Sequence, residues 1–95
     1  MNAKFTVHGF VQGVGYRYLV KCIAVRNKVR GSVRNVADGT VEIIAEAEAD
    51  TLKRFEEQIK VDIKGGPSVM FVEAQYEQDT PSNKTSNYEG FIIQR

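Results

Sequence analysis

Tryptophan is absent from this 95-residue sequence, cysteine and histidine occur once each, and proline occurs twice. A lone thiol, Cys22, can close no internal disulfide and seed no cysteine zinc cluster. It reads as a small residue on a helix, because a nucleophilic thiol needs a basic partner and His8 sits in a strand pattern. No apolar run approaches the ~20 residues that cross a bilayer. The opening MNAKFTVHG passes straight into alternating apolar and polar residues, with no secretory apolar region. The expected location is cytoplasmic, with no membrane partner. Internal repeats, linkers and low-complexity segments are also missing, so one domain over residues 1–95 is expected.

Acidic residues are missing from a long stretch. Residues 1–37 contain none, against seven bases: Lys4, Arg17, Lys21, Arg26, Lys28, Arg30 and Arg34. Residues 38–95 hold twelve acids and six bases, so the two parts carry +7 and −6 and together make the net +1. Such asymmetry points to an anionic partner for the N-terminal part without naming the anion. The overall content, 42% hydrophobic and 26% charged, belongs to a folded domain rather than a disordered chain.

Residues 4–11 alternate, with Phe5, Val7 and Val11 on one face, and read as a strand. Tyr16, Leu19, Val20, Ile23, Ala24 and Asn27 then recur at helical spacing. Two strands, over 30–36 and 40–47, meet at Ala37-Asp38-Gly39, where Asp-Gly is a strong hairpin signal. Val41, Ile43 and Ala45 point one way, and Glu42 and Glu46 the other. A second helix is predicted over 49–60, with Leu52, Phe55 and Ile59 as its apolar stripe and Asp50 or Ala49 near its start. Gly65-Gly66-Pro67 precedes a strand over 69–76, a polar loop over 79–89 and a short last strand over 91–94. The order is βαββαβ with an extra C-terminal strand. That is an α+β, ferredoxin-like split βαβ pattern, with two helices on one face of an antiparallel sheet and the other face more open.

Between the first strand and first helix lies Gln12-Gly13-Val14-Gly15-Tyr16-Arg17. Glycines permit positive φ and close backbone approach, so successive N–H groups can converge on a small anion. The helix that follows adds its unpaired N–H groups and positive dipole end. A lone GxG before a helix is more often a plain tight turn than a phosphate site. Arg17 shifts the balance. A cation in the first helical turn opposes the macrodipole at a cost of ~0.3–1 kcal/mol, and no acid lies nearby in sequence. A bound phosphate turns that misplaced charge into a favourable one, because guanidinium grips two oxygens at once. The alternative is a salt bridge from Arg17 to Glu73 or Glu89.

The run Val7-His8-Gly9-Phe10-Val11-Gln12-Gly13-Val14-Gly15-Tyr16-Arg17 resembles the acylphosphatase signature V-x-G-x-V-Q-G-V-x-F/Y-R. A second block, Gly31-Ser32-Val33-Arg34-Asn35-Val36-Ala37-Asp38-Gly39-Thr40-Val41-Glu42, resembles that family's G-x-V-x-N-x-x-D-G-x-V-E. Gly66-Pro67 and Phe91-Ile92-Ile93 agree with the rest of the layout, so the resemblance spans nearly the whole chain. It implies hydrolysis of acyl phosphates to a carboxylate and inorganic phosphate, the latter acting as product and inhibitor. Phosphate would be held by the loop Gln12, Gly13, Val14, Gly15, Tyr16 and Arg17, chiefly through the N–H groups of residues 13–17. Arg17 would bind phosphate by its side chain and Asn35 would position the attacking water. Without the resemblance, a strand-end asparagine before a turn usually satisfies local backbone groups. Ser32, where the family often has an aromatic, and Ala47, where a glycine is common, depart from the pattern and bear on packing.

An acyl phosphate already carries a good leaving group, so positioning and charge stabilisation suffice. No side chain is an obvious general base, which leaves a substrate phosphate oxygen to accept the water's proton. No cofactor is implied and no metal-ligand cluster is visible. A nucleic-acid partner is disfavoured: ferredoxin-like RNA binders stack bases on central-strand aromatics, and residues 40–46 have none. A non-catalytic anion-binding module is the other rival. Asn83-Lys84-Thr85 reads as a chance glycosylation match in the polar loop. With no apolar stripe left over, a monomer is expected. Nothing in the loop selects the acyl group.

Overall fold

The computed structural model describes residues 1–78 and 88–95. Most of the expected polar loop, and with it Asn83-Lys84-Thr85, lies outside the described residues. Seven elements follow in order: β1 (Asn2–Phe10), α1 (Tyr16–Arg26), β2 (Arg30–Asn35), β3 (Val41–Glu46), α2 (Ala49–Ile59), β4 (Ser68–Glu77) and β5 (Phe91–Ile93). They form one five-stranded sheet in the order β4-β1-β3-β2-β5. The four longer strands pair antiparallel. The added strand β5 lies parallel to β2, with Gly31 opposite Phe91 and Val33 opposite Ile93.

Strand alternation decides which face receives the helices. Ala3, Phe5 and Val7 of β1, Val33 of β2, and Val41, Ile43 and Ala45 of β3 are buried in one cluster with Tyr16, Val20, Ile23 and Ala24 of α1 and Leu52, Phe55 and Ile59 of α2. The rings of Phe5 and Phe55 lie 6.0 Å apart across that interface. On the open face, Arg34 Nε donates to Glu42 Oε1 at 2.8 Å, and Lys4 Nζ approaches Glu42 Oε2 at 3.5 Å. Arg34 is the main cause that holds the Glu42 carboxyl below its ordinary range. Part of the N-terminal basic excess, from β1 and β2, is therefore answered by Glu42 of β3.

Helix α1 ends without a glycine. The Val29 N–H donates to the Ala24 carbonyl at 2.8 Å and the Lys28 N–H to that of Val25 at 3.1 Å. These are the two bonds of a Schellman cap, with Lys28 in the left-handed position at φ 58°. Asn27, expected on the buried stripe, instead uses Nδ2 to donate to Ile23 O at 2.8 Å and Gln58 Oε1 at 2.6 Å, which joins the end of α1 to α2. Helix α2 starts after Glu48, which makes no side-chain cap bond, and Asp50 stands in its first turn where the dipole favours an acid.

Candidate active site

The link between β1 and α1 is built so that its side chains turn inward. Val11 is buried beneath it and Val14 packs against the core cluster. Gln12 Nε2 donates to the carbonyls of Val36 and Thr40, at 2.7 and 2.8 Å, and so fastens the link to the β2–β3 turn. That turn is itself set by Asp38, whose Oδ1 accepts from Thr40 Oγ1 at 2.6 Å and from the Thr40 N–H at 3.0 Å. Those bonds hold the Asp38 carboxyl below its ordinary range. Tyr16 is fully buried, and its hydroxyl donates to the Ile59 carbonyl at 2.8 Å. Burial pushes its phenol well above the ordinary value, so it stays neutral.

With Gln12, Val14 and Tyr16 turned into the protein, the backbone and Arg17 are left to face outward. Gly13 and Gly15 take φ of 75° and 79°, and a Cβ on either would meet nothing within 4 Å. Their requirement is therefore conformational rather than steric. Gly15 is the N-cap residue of α1 and no side chain caps the helix. The first intrahelical bond runs from the Leu19 N–H to the Gly15 carbonyl at 3.1 Å. The N–H groups of Tyr16, Arg17 and Tyr18 precede it and carry the positive end of the dipole.

Arg17 Nη1 donates to the carbonyl of Gln94 at 3.0 Å. Among the described residues no carboxylate pairs with it. Glu73, one of the acids considered from sequence, is taken by His8, with Nε2 to Oε1 at 2.5 Å. The other, Glu89, makes no ion pair with Arg17. The guanidinium is thus oriented by a neutral carbonyl and keeps its charge for another partner. His8 stacks on Phe71, with centroids 4.1 Å apart, on the open face away from the helices.

Asn35 ends β2 on the same face as Val33, beneath the helices. Its Oδ1 is buried and accepts no hydrogen bond among the described residues, which sets it apart from an asparagine satisfying local backbone groups. The strand that carries it is linked to Arg17 through Gln94, the residue after β5: the Gln94 N–H donates to Val33 O at 2.8 Å, and the Gln94 carbonyl accepts from Arg17.

A recess of about 190 Å³ opens at the start of α1, lined by Val11, Gly13, Gly15, Tyr16, Arg17, Tyr18 and Ile93. The structure therefore gathers Gly13, Gly15, Tyr16 and Arg17 around one opening. Gln12 and Val14 act behind it, and Asn35 stands at the neighbouring strand end outside the lining. Sequence reasoning missed Tyr18, Ile93 and Gln94. Tyr18 directly follows the motif, and Ile93 and Gln94 reach the site only through the parallel pairing of β5. Among the described residues no three His, Cys, Asp or Glu side chains converge as metal ligands would.

Comparison with known proteins gives the family. The family model described as acylphosphatase matches residues 3–93. An acylphosphatase of Thermotoga maritima is 38% identical over 90 residues, which cover 95% of this chain and 92% of that protein. One from Listeria welshimeri is 52% identical over 59 residues, 62% of this chain and 63% of its own length. The crystal structure of acylphosphatase from Bacillus subtilis superimposes with a TM-score of 0.82 at 32% identity, covering 99% of this chain and 98% of that one. The family match takes in the glycine loop, Arg17, Asn35 and the sheet that carries them, and the chain belongs to the acylphosphatase family.

Proposed function

We propose that this acylphosphatase-family enzyme hydrolyses the carboxyl-phosphate bond of small acyl phosphates, with the phosphoryl group held by the N–H groups of residues 13–17 and by Arg17, and the water held by Asn35. The observation that carries the reading is Arg17. Its guanidinium stands in the first turn of α1, oriented by a neutral carbonyl, and borders the recess beside Gly13 and Gly15. The positive dipole end, the N–H groups and a cation that pairs with no carboxylate among the described residues share one polarity there, which suits a phosphoryl group gaining charge on its equatorial oxygens.

The buried Oδ1 of Asn35 supports the second part. An unsatisfied acceptor favours a donor, and a water O–H supplies one. In the reaction the water oxygen bonds to phosphorus as the bond from phosphorus to the acyl oxygen breaks, and the carboxylate leaves with that electron pair. The water's proton passes to a phosphate oxygen of the substrate. The carboxylate is a good leaving group, so no general acid is required, and His8 lies on the other face in its pair with Glu73. Inorganic phosphate, the product, would compete for the same loop. We infer a cytoplasmic monomer acting on free acyl phosphates.

Hydrolysis of benzoyl phosphate with EDTA present, by the parent and Arg17→Ala side by side, tests this reading. Turnover by the parent that falls ~10²-fold or more in the variant is the expected result. Near-normal turnover by the variant would remove Arg17 from the site. No turnover by the parent would favour a non-catalytic anion-binding module.

A further inference from the structure

Tyr18 is 68% exposed, whereas Tyr16 two residues earlier is 1% exposed. Two residues turn a helix by about 200°, so the rings point to opposite sides. An exposed aromatic by itself is ordinary, but this one lines the recess that holds Arg17. Val11 and Ile93 line it with Tyr18, so the recess has two chemical halves. Gly13, Gly15 and Arg17 offer N–H groups and charge, and Tyr18 and Ile93 offer apolar surface, with Val11 buried in the wall. The Cys22 thiol one turn along raises the Tyr18 phenol above its ordinary value, so the hydroxyl stays neutral.

An acyl phosphate is divided in the same way, an anionic phosphoryl group joined to a carbon-bearing acyl group. In-line displacement places the attacking water and the leaving carboxylate on opposite sides of phosphorus. Asn35 stands outside the lining of the recess, whereas Tyr18 and Ile93 stand within it beside Arg17. We propose that Tyr18, with Ile93, forms an acyl subsite that favours aromatic acyl phosphates over acetyl phosphate. This inference rests on the acylphosphatase reading above. An acetyl group is too small to cover the ring, whereas a benzoyl ring can stack on it.

The test is kcat/KM for benzoyl phosphate and for acetyl phosphate in the parent, Tyr18→Ala and Tyr18→Phe. The benzoyl-to-acetyl ratio should fall about fivefold or more in Tyr18→Ala and stay within about twofold in Tyr18→Phe. A purely structural role would lower both substrates together and leave the ratio unchanged, which overturns the subsite while the hydrolytic reading stands. A parent that turns over neither substrate overturns both.

Discussion

Asn35 carries a buried carbonyl oxygen that accepts no hydrogen bond among the described residues. Such an acceptor costs about 1–3 kcal/mol, a cost that selection retains where the group has work to do. Replacing it should therefore separate stability from activity. Asn35→Ala is predicted to unfold at the parent's temperature or slightly above, while kcat falls ~10²-fold and inhibition by phosphate persists. Thermal unfolding and steady-state kinetics on the same preparation measure all three. A large loss of phosphate affinity would make Asn35 a substrate-binding group rather than a holder of water. The motif made Asn35 legible in the sequence, but the isolation of its oxygen was not, because nothing local says which strand end a helix will cover.

At the scale of elements, the site is positioned by bonds between segments distant in sequence. Gln12 ties the loop to the β2–β3 turn across 24 and 28 positions, and Tyr16 ties the start of α1 to the end of α2 across 43. Tyr16→Phe keeps the ring but leaves the Ile59 carbonyl without its donor, and should lower stability by about 1–3 kcal/mol in urea unfolding. A variant as stable as the parent would show that the bond contributes nothing. Periodicity was enough to find both helices and the four long strands, since apolar stripes at 3.6 and 2 residues carry that signal. It did not reveal how α1 ends, because the helix end depends on Lys28 adopting the left-handed conformation without a glycine to announce it. It could not assign the side chains of Gln12 and Tyr16, both of which belong to a loop called phosphate-binding but point away from it.

For the whole molecule, the sequence pattern foretold one sheet with both helices on one face. The sense of β5 was not legible, because a three-residue strand carries no local sign of its neighbour. That strand lies at the sheet edge, parallel to β2, and the residue after it supplies the carbonyl that orients Arg17. Short edge strands open at a fraction of the global unfolding free energy. Fraying of β5 would release Arg17 and withdraw Phe91 from its contact with Phe55, 6.3 Å between ring centroids, while β1, β3 and the helices stay packed on one another. Activity should accordingly disappear at a lower urea concentration than the far-ultraviolet circular dichroism signal, and coincident midpoints would show that β5 opens only with the whole domain. Inactivation then begins as an unzipping at the rim, which leaves a compact, silent molecule able to recover as soon as the strand re-docks.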